Sequence, residues 1–134
     1  MRNKKLDNLI VQLENYLECL KQFNYFVTMS RGKKFAEEDE NQFLEVKSLI
    51  VQELELITAA VECSSPSRED VHSLVSSAPS LRYLSESNEG NLRSLENHWH
   101  KVYVGFQAVL GQLKVQQRLM ESKSVLGSMF GKKA

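Results

Sequence analysis

The chain has 134 residues, 42% of them hydrophobic and 25% charged, which suits one domain with a core of its own and requires no second. Seventeen basic and seventeen acidic side chains cancel, so no global field draws it to nucleic acid or to an anionic membrane; any such contact has to be local. Two prolines and six glycines leave long stretches open to helix, and Cys19 and Cys63, far apart and without C-x-x-C spacing, suggest reduced thiols more than a disulfide framework, although a single bridge between them stays open.

The first twenty residues, MRNKKLDNLIVQLENYLECL, begin with cations as a signal peptide does, but Asp7, Glu14 and Glu18 interrupt the apolar run such a signal needs. No apolar run reaches the ~18 residues of a membrane span. The expectation is a cytoplasmic, unprocessed chain. From Leu6, the residues Ile10, Leu13, Leu17, Leu20, Asn24 and Val27 follow in alternating steps of four and three, a heptad seam that predicts a helix over 3 to 29. Only Asn24 breaks it. Leu9, Tyr16 and Phe23 lie beside the seam and widen it, as a helix touching two neighbours requires. Gly32 is expected to close the helix in the left-handed conformation, with Arg31, Lys33 and Lys34 at its negative end.

A second helix is expected over 36 to 62, where Glu37, Glu38, Asp39 and Glu40 complement the positive end of the dipole without needing a ligand. Its apolar stripe is Phe43, Val46, Ile50, Leu54, Ile57 and Val61, and the polar turn Ser64, Ser65, Pro66, Ser67 stops it. Ser67, three residues before Asp70, resembles a capping box that opens a short helix over 67 to 77, with Val71, Leu74 and Val75 on one face. Pro79 ends that helix. Leu81, Tyr83 and Leu84 are expected to plug an end of the bundle before the polar run SESNEGN.

The last helix, expected over 88 to 122, carries the clearest seam: Leu92, Leu95, Trp99, Val102, Phe106, Val109, Leu113, Gln116 and Met120. The same register then reaches Lys123 and Gly127, so residues 123 to 134 are expected to leave the core as a flexible or docking tail, with 1 to 122 forming the bundle domain. The predicted fold class is all-α, an antiparallel bundle of three long helices plus a short third helix and connector.

Candidate chemistry is sparse. In NHWHKVY, residues 97 to 103, two histidines surround the only tryptophan, but positions two apart on a helix point about 200° from one another, so His98 and His100 cannot share one metal. Trp99 is assigned to the core, His98 to the flank of the seam and His100 to the outer face, paired with Glu96. Glu69 and His72 have the E-x-x-H spacing of dimetal bundles, but those sites need a second pair and two more inward carboxylates, and the inner stripes here are apolar. Cys19 is expected on the outer face of the first helix and Cys63 at a helix end, neither near a histidine in sequence. There is no G-x-S-x-G elbow and no phosphate-cradling glycine loop. The loop SRGKKF, with Arg31, Lys33 and Lys34, suits an anion but equally a solvated helix end, and without interleaved aromatics nucleic-acid binding is disfavoured. The expectation is therefore no catalytic residue, no metal and no cofactor.

The tail is more informative. Val125, Leu126, Met129 and Phe130 would cluster on one side of a short helix beside Lys123, Lys132 and Lys133, like a helix that docks in a groove or touches a membrane surface weakly. Leu126, Met129, Phe130, Lys132 and Lys133 are the expected partner-binding residues. The functional expectation is a non-enzymatic bundle that binds another protein or itself, as an adaptor, assembly factor or export chaperone does, on architecture alone. Its alternatives are a metal-binding or enzymatic bundle, which needs His72, His98 or His100 to converge with carboxylates, and a regulator binding nucleic acid or a membrane surface, which needs Arg31, Lys33, Lys34 and the terminal lysines in one patch.

Overall fold

In the computed structural model, five helices are formed among the described residues, which are 3 to 61 and 66 to 131, with side chains described to residue 123; none of these residues is in a β-strand. Helix α1 spans Lys4–Arg31 and opens on Asn3, whose side-chain oxygen accepts the N–H groups of Lys5 and Leu6 at 3.0 and 3.2 Å. The apolar seam is buried, Leu6, Ile10, Leu13, Leu17, Leu20 and Val27, with Tyr16, Phe23 and also Phe26 beside it, whereas Leu9 is half-buried. The helix ends differently from expectation. Gly32 stays right-handed at φ −75° and Lys33 takes the left-handed turn at φ 58°. Gly32 N–H and Lys33 N–H donate to the Met29 and Ser30 carbonyls, which carries the last turn one residue further before the chain reverses.

Helix α2, Glu37–Ala60, begins at Ala36, whose N–H donates to Asp39 Oδ2 at 2.8 Å, and buries Phe43, Val46, Ile50, Leu54 and Ile57 along the expected stripe. It runs antiparallel to α1: Phe23 meets Phe43 at 5.5 Å between ring centres, and Tyr16 Oη donates to the Ile50 carbonyl at 2.9 Å. Burial raises the Tyr16 phenol far above its ordinary value, so it stays a neutral donor there. Helix α3, Arg68–Ser76, opens on the expected capping box, with Asp70 N–H donating to Ser67 Oγ at 3.1 Å and Ser67 N–H to Asp70 Oδ2 at 2.9 Å. The Ser67 backbone and hydroxyl bonds hold the Asp70 carboxyl below its ordinary pKa.

The connector is itself helical: α4, Leu81–Ser85, has its first N–H groups capped by Ser80 and by Glu40 of α2, which accepts Leu81 N–H at 2.8 Å. Leu81 and Leu84 plug the bundle as expected, but Tyr83 is 53% exposed; one helical turn puts 81 and 84 on the same face and turns 83 away. Helix α5, Glu89–Gly131, is 43 residues long, about 65 Å. Asn88 Oδ1 accepts Asn91 N–H at 2.8 Å at its start. Its buried residues are Leu92, Leu95, Val102, Phe106, Val109 and Leu113, with Trp99 half-buried. Gln116 and Met120, expected in the seam, are exposed, and the helical backbone continues past the expected end at 122. Lys114, Gln116, Gln117, Arg118, Leu119, Met120 and Glu121 are good helix formers, so the helix outlasts its buried stripe.

Helix α1 is central, packing along α2 on one side and α5 on the other, while α3 packs against both from across the core; α2 and α5 therefore occupy opposite corners. Helix α5 is antiparallel to α1, because Trp99 Nε1 donates to the Leu20 carbonyl at 2.7 Å and Gln117 Nε2 to Asp7 Oδ1 at 2.7 Å. Helix α4 closes the end near Arg31. Pro66 lies against Gly105 so closely that a Cβ there would sit 2.7 Å from its ring, which sets how near the start of α3 comes to α5.

Candidate partner-binding surfaces

The residues with chemical potential stand apart. His98 is half-buried and lines a cleft of about 310 Å³ between α4 and α5 with Ser77, Ser87, Asn91 and Ser94, whereas His100 is exposed on the outer face. Glu96 pairs with Arg31, not with His100 as expected: Arg31 Nη1 lies 2.5 Å from Glu96 Oε1 and Nη2 2.9 Å from Glu89 Oε1. A guanidinium at the end of the neighbouring helix bridges two carboxylates at once, which a solvated imidazole cannot match. The same bridge ties down one cation of the SRGKKF loop. Glu69 is exposed and His72 half-buried, and among the described residues no three His, Cys, Asp or Glu side chains are grouped closely enough to hold a metal ion.

Cys19 was expected on the outer face of α1, but it is half-buried in a groove of about 180 Å³ between α1 and α2, lined also by Asn15, Tyr16, Leu49 and Glu53. Helix α2 crosses beside it, an arrangement that the α1 pattern alone does not contain. Burial, then Glu53, pushes the Cys19 thiol up, away from the thiolate form that reacts. Cys63 lies outside the described residues. His98→Gln with His100→Gln is expected to preserve fold and partner binding, and elemental analysis of the purified protein is expected to find no stoichiometric metal; a metal retained by the parent and lost in the double variant contradicts this.

What the structure does present is apolar surface on helix faces that no other element among the described residues covers. Leu113 is the last buried residue of α5 among those described, after which Val115 and Leu119 are 55% and 56% exposed and Met120 is exposed too. The helix runs on about fourteen residues beyond Gln117, roughly 21 Å of rod past the level of the Asp7–Gln117 contact. Leu126, Met129 and Phe130 fall in this part of the helix, but their side chains lie outside those described, and Lys132 and Lys133 lie outside the described residues altogether.

A second row of α5 escaped the sequence reading: Val104, Ala108, Gly111, Val115 and Leu119 follow at steps of four, three, four and four on the face turned away from the core. Their spacing was legible, but the stronger seam across the helix drew the assignment. Near the start of α1, a cleft of about 700 Å³ has an apolar floor of Leu6, Leu9, Val109 and Leu113 where α2 stops short, under a rim of side-chain amides including Gln12 and Gln116. No helix among the described residues is long and apolar enough to cross a membrane. Comparisons of the chain with family models, curated proteins and solved structures found no match.

Proposed function

We propose that this chain is a non-enzymatic helical bundle that binds another protein, of the adaptor, assembly-factor or export-chaperone kind, and that it offers the far end of α5 and the following tail as its docking element. One observation supports the reading most: a helix that outlasts its own buried stripe and carries Val115, Leu119 and Met120 in solvent. A rod with exposed apolar residues at helical spacing suits a groove on a partner. Leu126, Met129 and Phe130 extend the same rod in sequence, and the flanking lysines would steer it to an acidic surface. A cytoplasmic setting is part of the proposal, supported by the cysteine usage and by Asp7, Glu14 and Glu18 interrupting the signal-like start.

Truncation at Ser122 tests it. Because Leu113 closes the buried stripe, the midpoint of thermal unfolding is expected to stay within a few degrees of the full chain. Recovery of partners cross-linked to the full chain in its native cell is expected to fall. A truncated protein that unfolds assigns the tail to the core, and one that keeps every partner removes the tail from the binding surface.

A further inference from the structure

Two outward faces on opposite corners of the bundle carry opposite charge. On α2 every charged residue except Lys47 is acidic, and Lys47 is folded back over the Phe43 ring, donating to the Pro79 carbonyl at 3.1 Å. Glu38, Glu45 and Leu56, 55% exposed, share one exposed side, with Leu49, 44% exposed, at its edge beside the α1–α2 groove. On α5 the outward side holds Lys101 and Arg118 around Val104, Val115 and Leu119, and no acidic residue. The α5 acids lie elsewhere: Glu89 and Glu96 are on Arg31, and Glu121, two turns after Lys114, is on the side where Lys114 meets Glu14. The centre of the α5 row is open, since a Cβ at Gly111 would meet nothing within 4 Å among the described residues.

We infer that the occupant of these faces is a second copy of this chain, with the basic α5 face of one molecule seated on the acidic α2 face of the next. The inference rests on reading the chain as a protein-binding bundle; it shares Val115 and Leu119 with the docking rod but uses none of the residues after Ser122. Like faces would set cation against cation, whereas unlike faces place leucines and valines between opposite charges, a complementarity that selects register and partner. Because the two faces point away from one another, a pair cannot satisfy both, and the contact is head-to-tail: it extends to larger species or closes only as a ring. One helix face on another lies at the small end of specific interfaces, so the association is weak and salt-sensitive.

Sedimentation velocity of the full chain over a concentration series tests this, in about 0.05 M and about 0.5 M salt, roughly a threefold change in screening length. At low salt the average mass is expected to climb past the dimer with concentration, and at high salt to fall to the monomer. Lys101→Glu with Arg118→Glu, and separately Glu38→Lys with Glu45→Lys, are each expected to abolish the climb with unchanged helical circular dichroism, all four positions being exposed. Mixing the two swapped proteins is expected to restore association, since each then supplies the face the other lacks. A wild type that stays monomeric, stops at a dimer, or associates despite both swaps overturns the inference. None of the four residues is removed by truncation at Ser122, so swaps that leave self-association untouched while tail-dependent binding survives sink this inference alone.

Discussion

Phe106→Ala is expected to lower the unfolding free energy by about 3 to 5 kcal/mol, the usual range for deleting a buried large aromatic. Phe106 is 1% exposed and meets Tyr16 edge-on at 5.4 Å between ring centres, where α1 and α5 press together. Removing the ring opens a cavity whose walls are also tied elsewhere, because Tyr16 is held to α2 by its hydroxyl. The site therefore collapses poorly, and the loss includes the edge-to-face contact as well as the transfer of the ring. Urea unfolding followed by circular dichroism reads the change, with the slope preserved if unfolding stays two-state. Trp99→Ala falls lower in the same range: Trp99 is half-buried, though it also loses the bond to the Leu20 carbonyl. A loss under about 1 kcal/mol at Phe106 would contradict its place in the core.

Gly105→Leu is expected to destabilise by about 1 to 3 kcal/mol although it replaces glycine inside a helix. In an open helix the change gains up to about 1 kcal/mol, because glycine is a poor helix former. At Gly105 the contact decides the sign: a Cβ would stand 2.7 and 2.9 Å from Pro66 Cγ and Cδ, and a proline ring cannot swing aside as a flexible side chain does. The start of α3 must shift away from α5 instead. Gly111→Ala is the matching control, since its Cβ enters open space and the usual gain of roughly 0.5 to 1 kcal/mol is expected. Thermal unfolding of the two variants should move in opposite directions, and two shifts of the same sign would mean that the Pro66 contact sets nothing.

The site was less legible than the fold, for reasons that particular residues show. Arg31 reads from sequence as one of three cations at a helix end, and only the return of α5 to that end brings Glu89 and Glu96 onto it. Cys19 reads as an outward residue of α1 until α2 is laid beside it. Glu40 reads as dipole charge, yet it also caps α4, across 41 residues of chain. Each case turns on a neighbour from a distant part of the chain, and one helix's pattern cannot say which of its flanks that neighbour will cover.

The sequence by itself determined that the fold class is all-α, where α1, α2 and α3 begin, and which residues of each long helix face inward, because a 3.6-residue period together with local caps is written residue by residue. Leu13, Leu20, Ile50, Leu54, Val102 and Phe106 are buried where their spacing puts them, and Ser67 and Asp70 form the box that their separation predicts. Only the tertiary structure decided how far each seam is used. Gln116 and Met120 continue the α5 register and yet face solvent, because α2 ends at Ala60, short of this part of α5, and α1 begins only at Lys4, shortly past the Asp7–Gln117 contact. Periodicity states which way a side chain points, whereas burial requires another element of matching length to lie against it.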